Sequence, residues 1–302
     1  MIGGTGFVGK ALIKYLVKEK KNIIILGRKH KDKINLPPGC KYEQGDYGDK
    51  SFLKNLLKPS CEVIDLAHST VPSTSFQNPL FDLISNVPRS VNLLEVAKIK
   101  RVKKIVFVSS GGTVYGQAIS LPINEKHPTN PISPYGITKL AIEKYALMLA
   151  KQSETNVLIA RPSNAYGGVD MNSERRGLIP AVIGSALFNT KIKVYGREES
   201  IRDYIHVDDL AAGLSAILQN GKNGEIYNLG TGEGFSNQQI INIVNSFAHK
   251  IKRQVNYSSY PVRKFDVREN ILNSNKIKKI SNWKPKIDIY SGIQNLWNQE
   301  KS

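Results

Sequence analysis

A run of glycines near its start leaves this chain few ways to fold. Residues Gly3-Gly4-Thr5-Gly6-Phe7-Val8-Gly9 carry a G-x-x-G-x-x-G spacing and run straight into an amphipathic stretch, 9–19. A tight turn, close approach of backbone to a pyrophosphate, and close packing of helix on strand each need a residue without Cβ. The helix that follows aims its N-terminal amides at the phosphate oxygens. An apolar run ending at Leu26, about 20 residues on, suits the second strand of such a unit.

The same alternation continues downstream. Apolar runs at 22–26, 62–67, 104–109 and 157–160 are separated by helix-like stretches at 9–19, 51–58, 82–98 and 135–151. Short apolar runs alternating with helices predict βαβ units and a parallel sheet covered on both faces. The expected fold is therefore α/β, a doubly wound parallel sheet of the Rossmann type. From about Arg161 the pattern loosens, which predicts a smaller C-terminal substrate-binding lobe. The division expected is 1–160 for dinucleotide binding and 161–302 for substrate, the latter interleaved with the end of the sheet. A turn of this kind follows a buried strand of about five residues. Only Met1 and Ile2 precede Gly3, so the first strand is expected to be largely missing and a segment upstream of Met1 is expected.

Composition narrows the class. The formal charge is +18, but the lysines are scattered (Lys18, Lys20, Lys21, then Lys276, Lys278, Lys279), as on a solvated surface. No nucleic-acid motif is present, and nucleic acid is not an expected partner. No run approaches the roughly 18 apolar residues of a membrane span, and no signal-peptide pattern opens the chain. Cys40 and Cys61 show no metal or redox spacing, so no metal is expected and a reduced, cytoplasmic setting fits. The positive field would attract an anionic substrate.

Two local patterns bear on chemistry. After Leu26 come Gly27 and Arg28, where a carboxylate would hydrogen-bond an adenosine ribose 2′-hydroxyl. A small residue followed by arginine could accept a 2′-phosphate instead, or Arg28 could be plain surface charge. Farther on, Tyr135-Gly136-Ile137-Thr138-Lys139 puts a phenol and an ammonium four apart on one helix face. A neighbouring ammonium is expected to lower the phenol pKa, so that phenolate can take a proton from a substrate hydroxyl. The pair follows Ser109-Ser110, which close an apolar run.

Taken with 67–86 (AHSTVPSTSFQNPLFDLISN), 109–116 (SSGGTVYG), 131–145 (PISPYGITKLAIEKY), 161–167 (RPSNAYG), 201–210 (IRDYIHVDDL) and 227–232 (YNLGTG), these segments resemble extended short-chain dehydrogenases/reductases, in particular UDP-glucose 4-epimerase-like members of the NAD-dependent epimerase/dehydratase family. The resemblance spans essentially the whole chain. It implies that Gly3, Gly6, Phe7 and Val8 hold the pyrophosphate of NAD and that Asp46 and Tyr47 flank adenine. Leu66, Ala67 and His68 would pass along the cofactor, with Asn86 near its ribose and Ser109 beside it. Tyr135 would be the acid/base, and Lys139 would bind the nicotinamide ribose. On the substrate side it implies Asn164 at the sugar diphosphate and Leu178 and Tyr195 lining the nucleotide pocket. Arg202 and Arg263 would pair the diphosphate, where guanidinium forks suit phosphate oxygens, and Asp266 would hold a ribose or uridine group. A homodimer through the helices at 82–98 and 135–151 is also implied.

One position departs from the family. Its catalytic Ser or Thr lies three residues before the Val of V-Y-G, and Gly111 stands there. If the chain stays extended, Thr113 shares the parity of Gly111 and Ser110 faces away, so Thr113 is the expected hydroxyl. The function this predicts is C4 epimerisation of a UDP-hexose through a transient 4-keto sugar. An NADPH-dependent nucleotide-sugar reductase is the alternative, favoured by Gly27-Arg28; a non-catalytic relative is a third reading. A dehydratase would show Asp-Glu where Gly112-Thr113 stand.

Overall fold

The structure, a computed structural model, describes residues 1–167, 177–263 and 266–301. Its centre is a parallel sheet. Strand β1 (Ile23–Gly27) pairs with β2 (Cys40–Gln44). Strand β3 (Glu62–Asp65) pairs with β4 (Lys104–Val108), β4 with β5 (Asn156–Pro162), and β5 with the strand Ile226–Leu229. Between β1 and β3 stands Ile2, bridged in parallel to Leu26 and Asp65. Its amide donates to Ile64 O (2.9 Å), and its carbonyl accepts from Leu66 N (3.1 Å). On the other side Leu26 N donates to Met1 O (2.9 Å), so Met1 and Ile2 together carry the hydrogen bonding across the middle of the sheet, at the place where sequence expects a strand.

Side-chain alternation explains the two covered faces. Val106, Val108, Leu158 and Ala160 pack with α1 (Phe7–Lys18) and α7 (Val207–Asn220). Ile105, Phe107, Val157 and Ile159 pack with α2 (Lys50–Leu56), α4 (Pro79–Ile99) and α5 (Pro134–Gln152). Successive residues of a strand point to opposite faces, so a strand buried on both sides reads as an unbroken apolar run. Each large side chain so buried contributes about 1.5–3 kcal/mol. The fold is the doubly wound α/β arrangement. A third apolar cluster joins α6 (Leu178–Phe188) and α8 (Asn237–Ala248) to the helix Ile289–Lys301. Among the described residues no helix is long and apolar enough to cross a membrane.

Two caps set the helices that carry the site. The Ser133 side chain accepts from Gly136 N at the start of α5, with Pro134 at its first position. Asn78 accepts from Phe81 N at the start of α4, with Pro79 first. Such caps satisfy amides that a helix leaves unpaired. They place Tyr135 in the first turn of α5 and Lys139 one turn later.

Candidate active site

The glycine turn is tight in the way its spacing predicts. Gly3 has φ +75°, and a Cβ on it would lie 3.0 Å from Ala67 N, at the end of β3. A Cβ on Gly9 would lie 2.4 Å from Gly4 O, so the helix packs on the turn only because Gly9 has none. Gly6 starts α1 with no side-chain cap, leaving the amides of Phe7 and Val8 to an anion at the helix N-terminus. These features fit a dinucleotide pyrophosphate.

On one flank of the turn lie the residues expected near adenosine. Gly27 ends β1; a Cβ there would stand 2.7 Å from the Tyr42 hydroxyl, which donates to Lys29 O at 2.8 Å. A carboxylate side chain at position 27 would therefore have to displace the Tyr42 hydroxyl. Arg28 is exposed. Asp46 accepts from Gly48 N (2.8 Å) and pairs with Arg89 (3.0 Å), and Tyr47 is buried, which pushes its phenol well up.

The other flank holds Tyr135 and Lys139. Lys139 Nζ donates to Val108 O (2.8 Å) and lies 5.8 Å from the Tyr135 ring centroid. Burial pulls this ammonium down to about 8, against the pull of Asp65, Glu143 and Asp82. The expected lowering of the Tyr135 phenol is not found: burial, then the charge of Asp82, pushes it up. Desolvation of the phenolate outweighs the ammonium here. Leu66, Ala67 and His68 leave β3 beside the glycine turn. Ala67 N donates to Asp65 Oδ1 (3.0 Å), and burial raises that carboxyl to about 6. Asn86 accepts from Ser69 N (2.8 Å) and donates to Asp82 O (2.7 Å). Ser109 Oγ, Thr113 Oγ1, His68 Nδ1 and Asp65 Oδ2 are buried without a partner among the described residues. That concentration of unsatisfied polar atoms along one side is what a polar cofactor fits.

The chain is not extended after Ser109. Ser110 O accepts from both Thr113 N (3.3 Å) and Val114 N (3.1 Å), a turn that removes the basis for the parity argument. A Cβ on Gly111 would meet Leu272 Cδ1 at 2.5 Å and Arg161 O at 3.0 Å, so this position points into the protein. Ser110 Oγ and Asn164 Oδ1 lie 3.9 Å and 3.0 Å from where a Cβ on Gly112 would stand. Those two side chains therefore share a face, whereas Thr113 Oγ1 is buried.

The substrate-side residues form a second group. Arg263 pairs Asp266 through two contacts (2.7 and 3.2 Å) and lies 4.8 Å over the Tyr195 ring. Arg202 donates to Ile201 O, Arg268 O and Val267 O, all uncharged acceptors; burial lowers its pKa, and the charges of Asp266 and Arg263 both act on it. Leu178 opens α6 after Gly177 (φ +87°). The 111–117 segment links the two groups: Asn270 donates to Gly111 O (2.9 Å), and Gln117 accepts from Arg268 N (3.0 Å). Sequence reading missed Asp82, which receives bonds from His68, Thr70 and Thr138. It also missed the buried Arg161–Glu143 pair (2.9 and 2.6 Å) that ties α5 to β5. Neither carries a local signal, since each partner lies at least 12 residues away and in another element.

Comparison with known proteins agrees with this arrangement. Residues 1–230 match the family described as "NAD dependent epimerase/dehydratase family". A putative UDP-glucose 4-epimerase of Methanocaldococcus jannaschii is 32% identical over 99% of this chain and 97% of its own. A UDP-glucose 4-epimerase of Lactobacillus helveticus is 31% identical over 100% of this chain and 96% of its own. Among solved structures, the Thermotoga maritima UDP-glucose 4-epimerase with UDP-glucose superposes with a TM-score of 0.90 at 28% identity, covering 99% of this chain and 97% of that one. The Thermus thermophilus enzyme with NAD gives 0.88 at 25%, covering 100% and 98%. With the glycine turn and the Tyr135–Lys139 pair in place, this chain belongs to the NAD dependent epimerase/dehydratase family, as an extended short-chain dehydrogenase/reductase of the UDP-glucose 4-epimerase-like kind.

Proposed function

We propose that this protein interconverts a UDP-hexose and its C4 epimer with bound NAD. The observation that carries the reading is the placement of Tyr135 and Lys139 on consecutive turns of α5, with Lys139 anchored to the end of β4. The relatives named for UDP-glucose 4-epimerase, and the neighbours that hold UDP-glucose or NAD, support it. Bound NAD would supply the hydride acceptor and donor at C4, and the configuration inverts only where the transient 4-keto sugar turns its other face before hydride returns. The chain supplies the rest. Tyr135 takes the C4 hydroxyl proton and gives it back, and Lys139 holds the ribose beside it. Arg202 and Arg263 grip the diphosphate, Asn164 contacts it, and Asp266 orients Arg263 and the uridine side. Leu178 and Tyr195 line the nucleotide. We assign the sugar-facing hydroxyl to Ser110 in preference to Thr113, because Ser110 Oγ shares a face with Asn164, the residue assigned to the sugar diphosphate.

The division into residues 1–160 for NAD and 161–302 for substrate belongs to the same proposal, with Ile226–Leu229 and α7 returning to the sheet. So does a homodimer. Leu80, Phe81 and Ile84 on α4 and Ile137, Tyr145 and Met148 on α5 are 44–63% exposed, an apolar face that suits a two-fold helical interface.

Incubation with UDP-glucose or UDP-galactose, followed by anomeric-proton NMR, tests the activity. Conversion without added cofactor is expected, and none with either sugar or its N-acetyl form overturns the reading. One observation favours a second reading: residue 27 is a glycine with the Tyr42 hydroxyl over it rather than an acid, and Arg28 follows. An NADPH-dependent reductase would consume added NADPH in the same assay.

A further inference from the structure

His68 is buried, with 6% of its side chain exposed, in the loop that leaves β3. Its Nε2 lies 3.3 Å from Asp82 Oδ1. Thr70 also donates to Oδ1 and Thr138, in the first turns of α5, donates to Oδ2. Burial works to raise the Asp82 carboxyl, but the bonds from His68, Thr138 and Thr70 overcome it and leave it below its ordinary value. An ionised carboxylate only accepts, so the proton on the imidazole sits at Nε2. Nδ1 is then a lone-pair acceptor. It is buried and has no donor among the described residues. Burial and the charge of Lys139 pull the imidazole down to about 4, so it stays neutral at pH 7 and the lone pair remains available.

The place of this acceptor identifies what it meets. The His68 ring stands edge-on to the Tyr135 ring, with centroids 4.6 Å apart. It is near Lys139, at the Tyr135 flank of the glycine turn, whereas Gly27, Arg28 and Asp46 mark the other flank. A dinucleotide laid along the turn has two riboses, and the one at this flank carries hydroxyl donors. We propose that His68, held by Asp82 in the tautomer that leaves Nδ1 as acceptor, binds a hydroxyl of the second ribose of the dinucleotide, the one beside Tyr135. This rests on the NAD reading given above. Thr70 and Thr138 fix Asp82 from two sides, so the acceptor is positioned before any ligand arrives, and little is lost in ordering it.

The test compares two ligands by calorimetry on the full chain after any bound dinucleotide has been stripped from it. ADP carries only the adenosine ribose, while ADP-ribose carries the second ribose as well. The wild-type chain is expected to bind ADP-ribose more tightly than ADP. In His68→Phe, which keeps a ring against Tyr135 but no acceptor, that advantage should shrink by about five- to tenfold, as one hydrogen bond is worth, with ADP affinity unchanged. Asp82→Asn leaves the imidazole in place but lets an amide donate to Nε2, which moves the ring proton to Nδ1 and should give the same selective loss. That variant carries the test if His68→Phe does not fold. Equal losses for both ligands, or no loss, overturn the inference while leaving the NAD reading intact. A wild-type chain that binds neither ligand overturns both.

Discussion

At the Tyr135 flank of the turn, side chains are buried and tied across elements: His68, Asp82, Thr138 and Lys139 join the loop after β3 to α4, α5 and β4. At the Gly27 flank, Arg28 lies in water, and the Asp46–Arg89 pair is 39% and 25% exposed. Chemistry needs fixed geometry, and low-dielectric surroundings strengthen each polar contact there. Holding an adenosine needs less. Substitutions should therefore matter most where the network is dry and progressively less toward the open flank.

The largest effect is expected at Tyr135. Tyr135→Phe removes the group that moves the proton and touches no phosphate contact. General acid–base help is worth about 10²–10⁴-fold, so kcat should fall by that order while UDP-sugar affinity holds. Steady-state kinetics with direct measurement of UDP-sugar binding checks both. Near-normal turnover would remove Tyr135 from the chemistry.

Glu143→Gln probes the support under α5. Arg161 keeps its charge, since its bonds with Glu143 outweigh the desolvation of burial, and both side chains are nearly inaccessible (3% and 1%). Breaking one partner of a buried pair leaves the other charge uncompensated and costs about 3–5 kcal/mol. Urea denaturation should show a lower midpoint at an unchanged slope. A loss below about 1 kcal/mol would mean that water reaches Arg161.

His68 gives a smaller, pH-dependent effect. Its folded pKa of about 4 lies below the ordinary 6.5, so the unfolded chain binds more protons between those values and stability falls as pH drops through that window. Asp65 acts oppositely: raised to about 6 from 3.8, it makes folding more favourable as pH falls from 6 to 3.8. The difference between wild type and His68→Phe isolates the histidine. Between pH 7 and pH 5 the wild type should lose about 1–2 kcal/mol more than the variant. Parallel pH profiles would show that the imidazole is not held neutral.

Ser110→Ala should weaken kcat by about fivefold to tenfold, as a neutral hydrogen bond of about 1 kcal/mol predicts, and Thr113→Val should change it less. The reverse ranking would restore Thr113 as the sugar-facing hydroxyl. This pair also shows where sequence stops being legible. The βαβ framework could be read because each buried strand and each capped helix announces itself locally: Ile105 to Val108, Ser133 before Pro134. Strand β2 shows no such run, because on an edge only Tyr42 is buried. The orientation of Gly111 depends on a turn closed by Ser110 O and on Leu272, far away in sequence, and no local pattern reports either. Asp82 is found only by folding α4 against the loop after β3.

Arg28 is where the smallest effect is expected, because its charge stands in water and is screened. No acid stands at residue 27, and one placed there would have to displace the tip of the Tyr42 ring. The 2′-position of the adenosine ribose therefore meets no carboxylate from residue 27, and the nearest charge in sequence is positive. An exposed guanidinium does not exclude a 2′-hydroxyl, but it attracts a 2′-phosphate. Arg28→Ala should thus weaken NADP⁺ binding by about two- to fivefold, the scale of a surface ion pair worth up to about 1 kcal/mol, and leave NAD⁺ unchanged. The loss should disappear as salt is raised, because the interaction is exposed. Calorimetry with both dinucleotides at two salt concentrations, on the chain stripped of bound dinucleotide, reads all of this. Equal weakening of NAD⁺ and NADP⁺ would place Arg28 on the shared pyrophosphate, and a salt-independent loss would mean that this flank closes over its ligand as tightly as the Tyr135 flank does.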